Sequence, residues 1–236
     1  DLHIYAQREG YRDTEWERDG KAYGWGNNRG LVLMKSFDLI HWTRTNIRFD
    51  QMSKEFAQIG CAWAPETVYD PATGRMMIYF TMRFGNEQNR LYYVYVNQDF
   101  NRIESIPQIL FEYPSGASAI DGDITPIWNE ERQKMEYHLF YVAHESGSGI
   151  KQAVSDRIDG SYRFDPRWID FEPVACEAPN VWKRIGEDKW VLMYDIFGIN
   201  PHNFGFVETS DFVHFKNLGR FNEGVMKTTN FRSPKH

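Results

Sequence analysis

Apolar residues follow the chain in short runs rich in Tyr, Val, Ile and Phe, with Gly, Asp and Asn between them. Runs of this length and composition are typical of β-strands joined by turns, and helical periodicity is weak. The runs come in pairs, which lie at 76–83 and 91–100, at 137–145 and 150–156, and at 190–197 and 204–212. A partial unit has its runs at 2–9 and 31–42. The pattern predicts an all-β protein built from a repeated unit.

Acidic residues mark this repeat at two points. Ahead of the paired runs stand three acids, 55 and 56 residues apart, at Glu66, Asp121 and Glu177. A second series, with intervals of 61, 57 and 55 residues, consists of Asp38, Asp99, Asp156 and Asp211. Asp and neighbouring Ser residues of the second series are typical of turns, because their side chains bond nearby backbone N–H groups. A period of ~50 residues with about four strands is typical of a propeller blade.

These intervals predict a five-bladed β-propeller that forms one catalytic domain over residues 1–236, with about four blades visible. In the complete units, the acid precedes the second strand by 10 to 16 residues. The second strand of the first unit begins near Leu2, so its equivalent acid would fall before residue 1. No obvious closing strand follows Ser233. We therefore expect the propeller to be incomplete at the N-terminus and at the C-terminus.

The three acids of the first series are expected to meet at the propeller axis. The innermost strands of all blades line one channel, so residues at one phase of the repeat converge although they are distant in sequence. We place Glu66, Asp121 and Glu177 at that phase. Converging carboxylates repel one another, which raises the pKa of at least one of them. Glycoside hydrolysis uses a protonated carboxylic acid together with an ionised carboxylate base.

Charge and aromatic content indicate which classes of binding partner the chain has. It carries 27 basic and 33 acidic side chains without a basic block, which argues against nucleic acid. No apolar run approaches the ~18 residues of a membrane span, so no membrane partner is expected. Aromatic residues make up 16 %; they fill cores, but they also stack on sugar rings, which favours a carbohydrate partner. We expect a secreted or periplasmic protein, although residues 1–10 are not a secretion signal.

Several motifs together resemble glycoside hydrolase family 43, a family of five-bladed propellers. They are Trp63-Ala-Pro-Glu66, Ile120-Asp121-Gly-Asp123, Glu177-Ala-Pro179, and Asn28-Arg29-Gly30 followed by the segment 31–42. The resemblance runs over essentially the whole chain in the right order. It implies an inverting exo- or endo-hydrolase of arabinofuranosyl or xylosyl linkages in plant-type polysaccharides or oligosaccharides, with no required cofactor.

The resemblance also implies roles for the acids. Glu177 would be the general acid that protonates the leaving oxygen, and Asp121 the carboxylate that tunes and orients it. Asp123, two residues along, is the rival for the second role. The catalytic base of the family lies in its first inner strand, and no matching motif precedes Leu2. Asp1 would be that base only if the second strand of the first unit begins elsewhere than at Leu2.

Further residues are candidates for substrate or ion binding. Trp63 is a sugar-stacking platform or part of the core, and Arg83 binds sugar hydroxyls or balances the acids. His144 lies in a loop that corresponds to Arg83. The resemblance implies a structural calcium-type ion in the central channel, contacted by a histidine that matches His236, and oxygen-rich sites of this kind suit hard cations.

Two other functions compete with inverting hydrolysis. A sialidase-type hydrolase is less favoured, because sialidases need an arginine cluster at the axis and only Arg83 is available. A retaining fructan-type hydrolase would have its two carboxyl groups only ~5–5.5 Å apart, against ~6.5–9.5 Å for an inverting enzyme. A non-catalytic propeller that binds carbohydrate or protein is the main alternative. The absent base favours it, whereas the three acids argue against it because a scaffold has no need to assemble repelling charges.

Overall fold

Almost all of the described chain is β-structure. The structure is a computed structural model, and it describes residues 28–145 and 147–221. In these ranges fourteen strands form four antiparallel sheets, and two 3₁₀ turns lie at Phe49–Gln51 and Glu55–Gln58. The prediction of an all-β fold is confirmed. The predicted run at 2–9, together with Asp1 and His236, lies outside the described residues.

The chain divides into two compact units, of which the first covers residues 1–112. Its described part holds a two-stranded sheet and a four-stranded sheet, each with its strands in sequence order. The strands are β1 (Gly30–Lys35), β2 (Thr43–Arg48), β3 (Ile59–Asp70), β4 (Arg75–Phe84), β5 (Arg90–Val96) and β6 (Gln108–Phe111). Both sheets contribute to one apolar core, in which the rings of Phe49 and Phe80 stack at a centroid distance of 4.8 Å.

The second unit covers residues 113–236 and holds two four-stranded sheets in its described part. The strands are β7 (Ala119–Asn129), β8 (Lys134–Ala143), β9 (Gly149–Ser155), β10 (Arg163–Asp165), β11 (Glu177–Lys183), β12 (Trp190–Ile196), β13 (Asn203–Thr209) and β14 (Lys216–Arg220). Phe212, in the turn after β13, packs against Trp190 of its own sheet and against His138 and Phe140 of β8. This aromatic cluster joins the two sheets.

Differences in burial explain why the pattern of apolar residues predicts the middle strands of the sheets but not the last ones. The middle strands of the four-stranded sheets are nearly continuous buried runs, as in β5 and β8, so both faces of these strands are covered. The predicted runs at 76–83, 137–145 and 190–197 therefore coincide with β4, β8 and β12. The last strand of each sheet is short and partly exposed, as in β10, and has no apolar pattern to reveal it.

The predicted turn chemistry is confirmed at two of the four marked acids. Asp38 Oδ1 accepts the backbone N–H groups of Ile40 and His41 at 2.9 and 2.8 Å. Asp211 Oδ1 accepts those of Val213 and His214 at 2.9 and 2.7 Å. These two carboxylates therefore close the turns that lead into β2 and β14.

Consecutive antiparallel strands within each four-stranded sheet agree with the predicted blade pattern. Five blades, closure of a ring and a single domain over residues 1–236 stay predictions. Within the described ranges, no helix has the length and apolar character that crossing a membrane requires.

Candidate active site

The first strand of each four-stranded sheet (β3, β7 and β11) carries a β-bulge at a corresponding position. The pairing with the second strand slips between Trp63 and Glu66 in β3, and at the corresponding points of β7 and β11. A residue with left-handed backbone lies within each slip, with φ of +44° at Ala64, +54° at Asp121 and +51° at Ala178. These three positions lie 57 residues apart, so the bulge gives the register of the repeat independently of residue identity.

This register corrects the expected phase of the acids. Glu66 is equivalent to Asp123, because both are the first residues paired after the bulge, opposite Tyr79 and Phe140. Asp121 lies within the bulge of β7, whereas Glu177 is the last paired residue before the bulge of β11. The three acids Glu66, Asp121 and Glu177 therefore do not share a phase. Spacing alone missed this because the extra residue of a bulge leaves no mark in the sequence.

Asp121 and Glu177 nevertheless lie close together in the second unit. The Ala178 N–H, next to Glu177, donates to Asp121 Oδ2 at 3.3 Å and ties the two bulges together. Burial and, to a lesser extent, the negative charge of Glu177 raise the pKa of Asp121 to about 7. Asp121 therefore keeps its proton well above the pH at which an exposed aspartate loses it.

Asp123 serves as an anchor between the two strands. Its Oδ2 accepts the Val181 N–H at 3.0 Å and the Asn180 side-chain amide at 3.1 Å, both from β11. Burial raises the pKa of Asp123 to about 6, against these hydrogen bonds and one from Thr125, which lower it. Because Asp123 fixes β11 against β7, it sets where Glu177 stands relative to Asp121.

Asp195 is a carboxylate that sequence reasoning missed. It pairs directly opposite Glu177 across β11 and β12, and only 2 % of its surface is exposed. Residues directly opposite in an antiparallel pair point to the same face, so Asp195 places a further acid beside Glu177. The available signal was an acid near the end of the otherwise apolar run at 190–197.

Comparison with known proteins identifies the family. A family model related to glycosyl hydrolase family 43, described as a probable glycosyl hydrolase domain, matches residues 1–236. The chain belongs to this family. Among curated proteins none matches this family 43-related chain.

Solved structures agree with this family 43-related fold. A thermostable family-43 glycoside hydrolase superposes with a TM-score of 0.57 at 16 % identity, over 83 % of this chain and 66 % of that one. The arabinanase of Bacillus subtilis gives 0.59 at 17 % identity, over 81 % and 67 %. A family 43 β-1,3-galactosidase gives 0.59 at 14 % identity, over 87 % and 43 %. The chain thus spans 66 % of the length of the first of these structures, and identities this low establish the fold alone.

The predicted substrate-binding residues lie in different parts of the family 43-related fold. In the first unit, the Arg83 guanidinium lies over the Trp63 ring, 5.3 Å from its centroid. In the second unit, His144 is exposed at the end of β8, and its N–H donates to the Ser118 carbonyl at 3.0 Å. Arg83 pairs opposite Cys61, 57 residues before Ser118, so Arg83 and His144 are equivalent, as expected. Their contacts with substrate stay predictions.

The predicted calcium-type ion finds no ligand set in the described part of the chain. Residues 28–145 and 147–221 contain no group of three or more His, Cys, Asp or Glu side chains arranged to hold a metal. The residue expected to contact the ion, His236, lies outside these ranges. The ion therefore stays a prediction, and the chemistry below makes no use of it.

Proposed function

We propose that this chain is an inverting glycoside hydrolase that acts on arabinofuranosyl or xylosyl linkages in plant-type polysaccharides or oligosaccharides. Membership of the family supports the reaction class. The observation that carries the proposal is the carboxyl pair of Asp121 and Glu177, held together across β7 and β11.

In this reaction Glu177 is the general acid and gives its proton to the leaving oxygen of the glycosidic bond. Asp121 tunes and orients Glu177: when Asp121 is ionised, its charge favours the protonated form of Glu177. Asp123 positions Glu177 through its bonds to β11. A base carboxylate activates water on the opposite face of the sugar, at ~6.5–9.5 Å from the acid, as inversion requires. Among the described residues we assign no base.

The substrate class rests on family resemblance. Relatives with this fold include an arabinanase and a β-1,3-galactosidase, so the fold accommodates pentose and hexose linkages. We propose a pentose for this chain because its motifs resemble those of arabinofuranosidase- and xylosidase-type enzymes.

The test is Glu177→Gln, assayed on chromogenic arabinofuranosides and xylosides. Removing a general acid costs about 10²- to 10⁴-fold in rate, so that loss is expected on the substrate the parent cleaves. Glu187→Gln, in the exposed turn between β11 and β12, is the matched control and keeps parental activity. NMR of the first-formed product should show the inverted anomer.

A Glu177→Gln enzyme as fast as the parent would overturn the proposed role of Glu177. A parent chain that binds pentose oligosaccharides without cleaving any of them would instead establish the non-catalytic binding propeller.

A further inference from the structure

Asp195 is a buried acid beside the proposed general acid. It lies near the end of β12, directly opposite Glu177 on β11, and only 2 % of its surface is exposed. Directly opposite residues of an antiparallel pair have their Cβ atoms about 4.5–5.5 Å apart and point to the same face of the sheet. The two carboxyl groups are therefore close neighbours, and Asp195 is the more deeply buried of the two.

The negative charge of Asp195 acts on the chain next to Glu177. Cys176, the residue before Glu177, has a completely buried side chain. Burial and, to a lesser extent, the negative charges of Asp170, Glu172 and Asp195 raise the pKa of its thiol. The field of the Asp195 carboxylate thus reaches the residue that adjoins Glu177 in the chain.

Acids from two neighbouring strands flank Glu177. β11 contacts β7, β8, β9 and β12, and near Glu177 these strands carry Asp121 and Asp195. Two histidines, His144 and His202, lie in the loops after β8 and β12. The other acidic and basic side chains of these strands bind partners of their own; together with Arg220 of β14, they are Asp123, Lys134, Glu136, His138 and Lys151. Like charges on both sides of Glu177 disfavour its ionisation.

Asp121 alone does not supply this charge below neutral pH. Burial and, to a lesser extent, the charge of Glu177 raise the pKa of Asp121 to about 7. Below that pH Asp121 is largely protonated, and a neutral carboxyl does not favour the protonated form of its neighbour through charge. The charge then has to come from another acid, and Asp195 stands directly opposite Glu177.

The repeat does not require an acid at the position of Asp195. At the same point of β4 and β8 stand Thr81 and Val142, each opposite a residue that is not acidic. Among the three described four-stranded sheets, an acid occurs at this point only where Glu177 lies opposite. The strand pair can therefore form without a buried carboxylate, and the presence of Asp195 coincides with that of Glu177.

We propose that Asp195 is a positioning residue for Glu177: its negative charge, buried beside the general acid, keeps Glu177 protonated at pH values where Asp121 is neutral. Asp195 is too deeply buried to contact a substrate, so it acts through Glu177. The inference rests on the proposed glycosidase function and extends it, because it assigns the control of the general acid to acids on both neighbouring strands.

The test is the pH dependence of kcat/KM for Asp195→Asn on the chromogenic pentoside that the parent cleaves. Asparagine keeps the shape of the side chain but not its charge, so Glu177 should lose its proton at lower pH. The alkaline limb of the profile should then move down by about one pH unit or more. Asp195→Thr introduces the residue that β4 carries at this point and should move the limb in the same direction. Glu208→Gln removes another buried acid, at the far end of the same sheet, and should leave the limb at its parental pH.

Carbon-13 NMR gives a second readout that does not depend on turnover. The Glu177 carboxyl signal, assigned by its absence in Glu177→Gln, should titrate at lower pH in Asp195→Asn than in the parent. An alkaline limb and a Glu177 titration that stay at their parental pH in both Asp195 variants would overturn the inference while leaving the role of Glu177 intact. A fully active Glu177→Gln variant would instead contradict the proposed function, whatever the NMR titration shows.

Discussion

Replacing Asp121 by Asn should stabilise the protein, and by more at higher pH. The pKa of Asp121 rises from 3.8 to about 7 because the carboxyl is buried and because Glu177 carries a negative charge. The folded state therefore binds a proton that the unfolded state has lost. The stability that this proton supplies is fully present below pH 3.8 and falls as the pH rises through 7.

The size of the effect follows from the same shift. One pKa unit corresponds to 1.36 kcal/mol, so ionising Asp121 in the folded protein costs up to about 4 kcal/mol above pH 7. Partial exposure of the side chain lowers this value, and we expect about 1–4 kcal/mol. Asparagine cannot ionise, tolerates the left-handed backbone at this bulge, and keeps an oxygen that accepts the Ala178 N–H.

Urea unfolding of parent and variant at pH 4, 5.5, 7 and 8 measures this difference. We expect nearly equal free energies of unfolding at pH 4 and a growing advantage of Asp121→Asn up to pH 8. Asp99→Asn, at an exposed site, is the control and should give a constant difference. In a Glu177→Gln background the advantage should shrink, since one cause of the raised pKa is gone. An Asp121→Asn advantage that is the same at every pH would refute this reasoning.

Two further predictions concern the second unit. Burial lowers the pKa of His138 from 6.5 to about 4. Neutral His138 therefore stabilises the folded protein fully above pH 6.5. As the pH falls toward 4, the unfolded chain binds a proton at this residue before the folded protein does, and the free energy of unfolding decreases by up to about 3 kcal/mol. His138→Phe should flatten the dependence of unfolding free energy on pH between 6.5 and 4, and an unchanged slope would contradict this. Gly205→Ala should destabilise by about 1–3 kcal/mol, because its Cβ would lie 2.3 Å from the buried ring of Tyr194. Thermal melting should show a smaller cost in a Tyr194→Val background; an equal cost there would exclude the clash.

Much of the fold could be predicted from the chain, for a physical reason. Strands buried on both faces must be apolar over their whole length, so β5, β8 and β12 are visible as runs of apolar residues. The outer strands β6, β10 and β14 have 4, 3 and 5 residues and face solvent in part, so they carry no such constraint. Their apolar pattern does not predict these strands. They form because the third strand of each sheet would otherwise leave its backbone N–H and C=O groups unpaired.

Asp121 and Glu177 lie close together, as the sequence analysis expected, but the argument that led to this expectation was wrong, and their catalytic roles stay predictions. Equal spacing of acids suggested that the repeat itself brings them together around an axis. The bulges instead place Glu177 where the other inner strands carry Trp63 and Ile120, and Asp121 where they carry alanine. Asp195 likewise stands where β4 and β8 carry a neutral residue. The acids are thus departures from the repeat, all at the junction of β7, β11 and β12. Asp195 is buried and the other two acids are half-buried, and placing Asp121 beside the charge of Glu177 costs folding free energy, as the raised pKa of Asp121 indicates. A scaffold that served stability alone would gain nothing from this arrangement. This concentration of unfavourable charge is the strongest physical argument that the junction carries out chemistry.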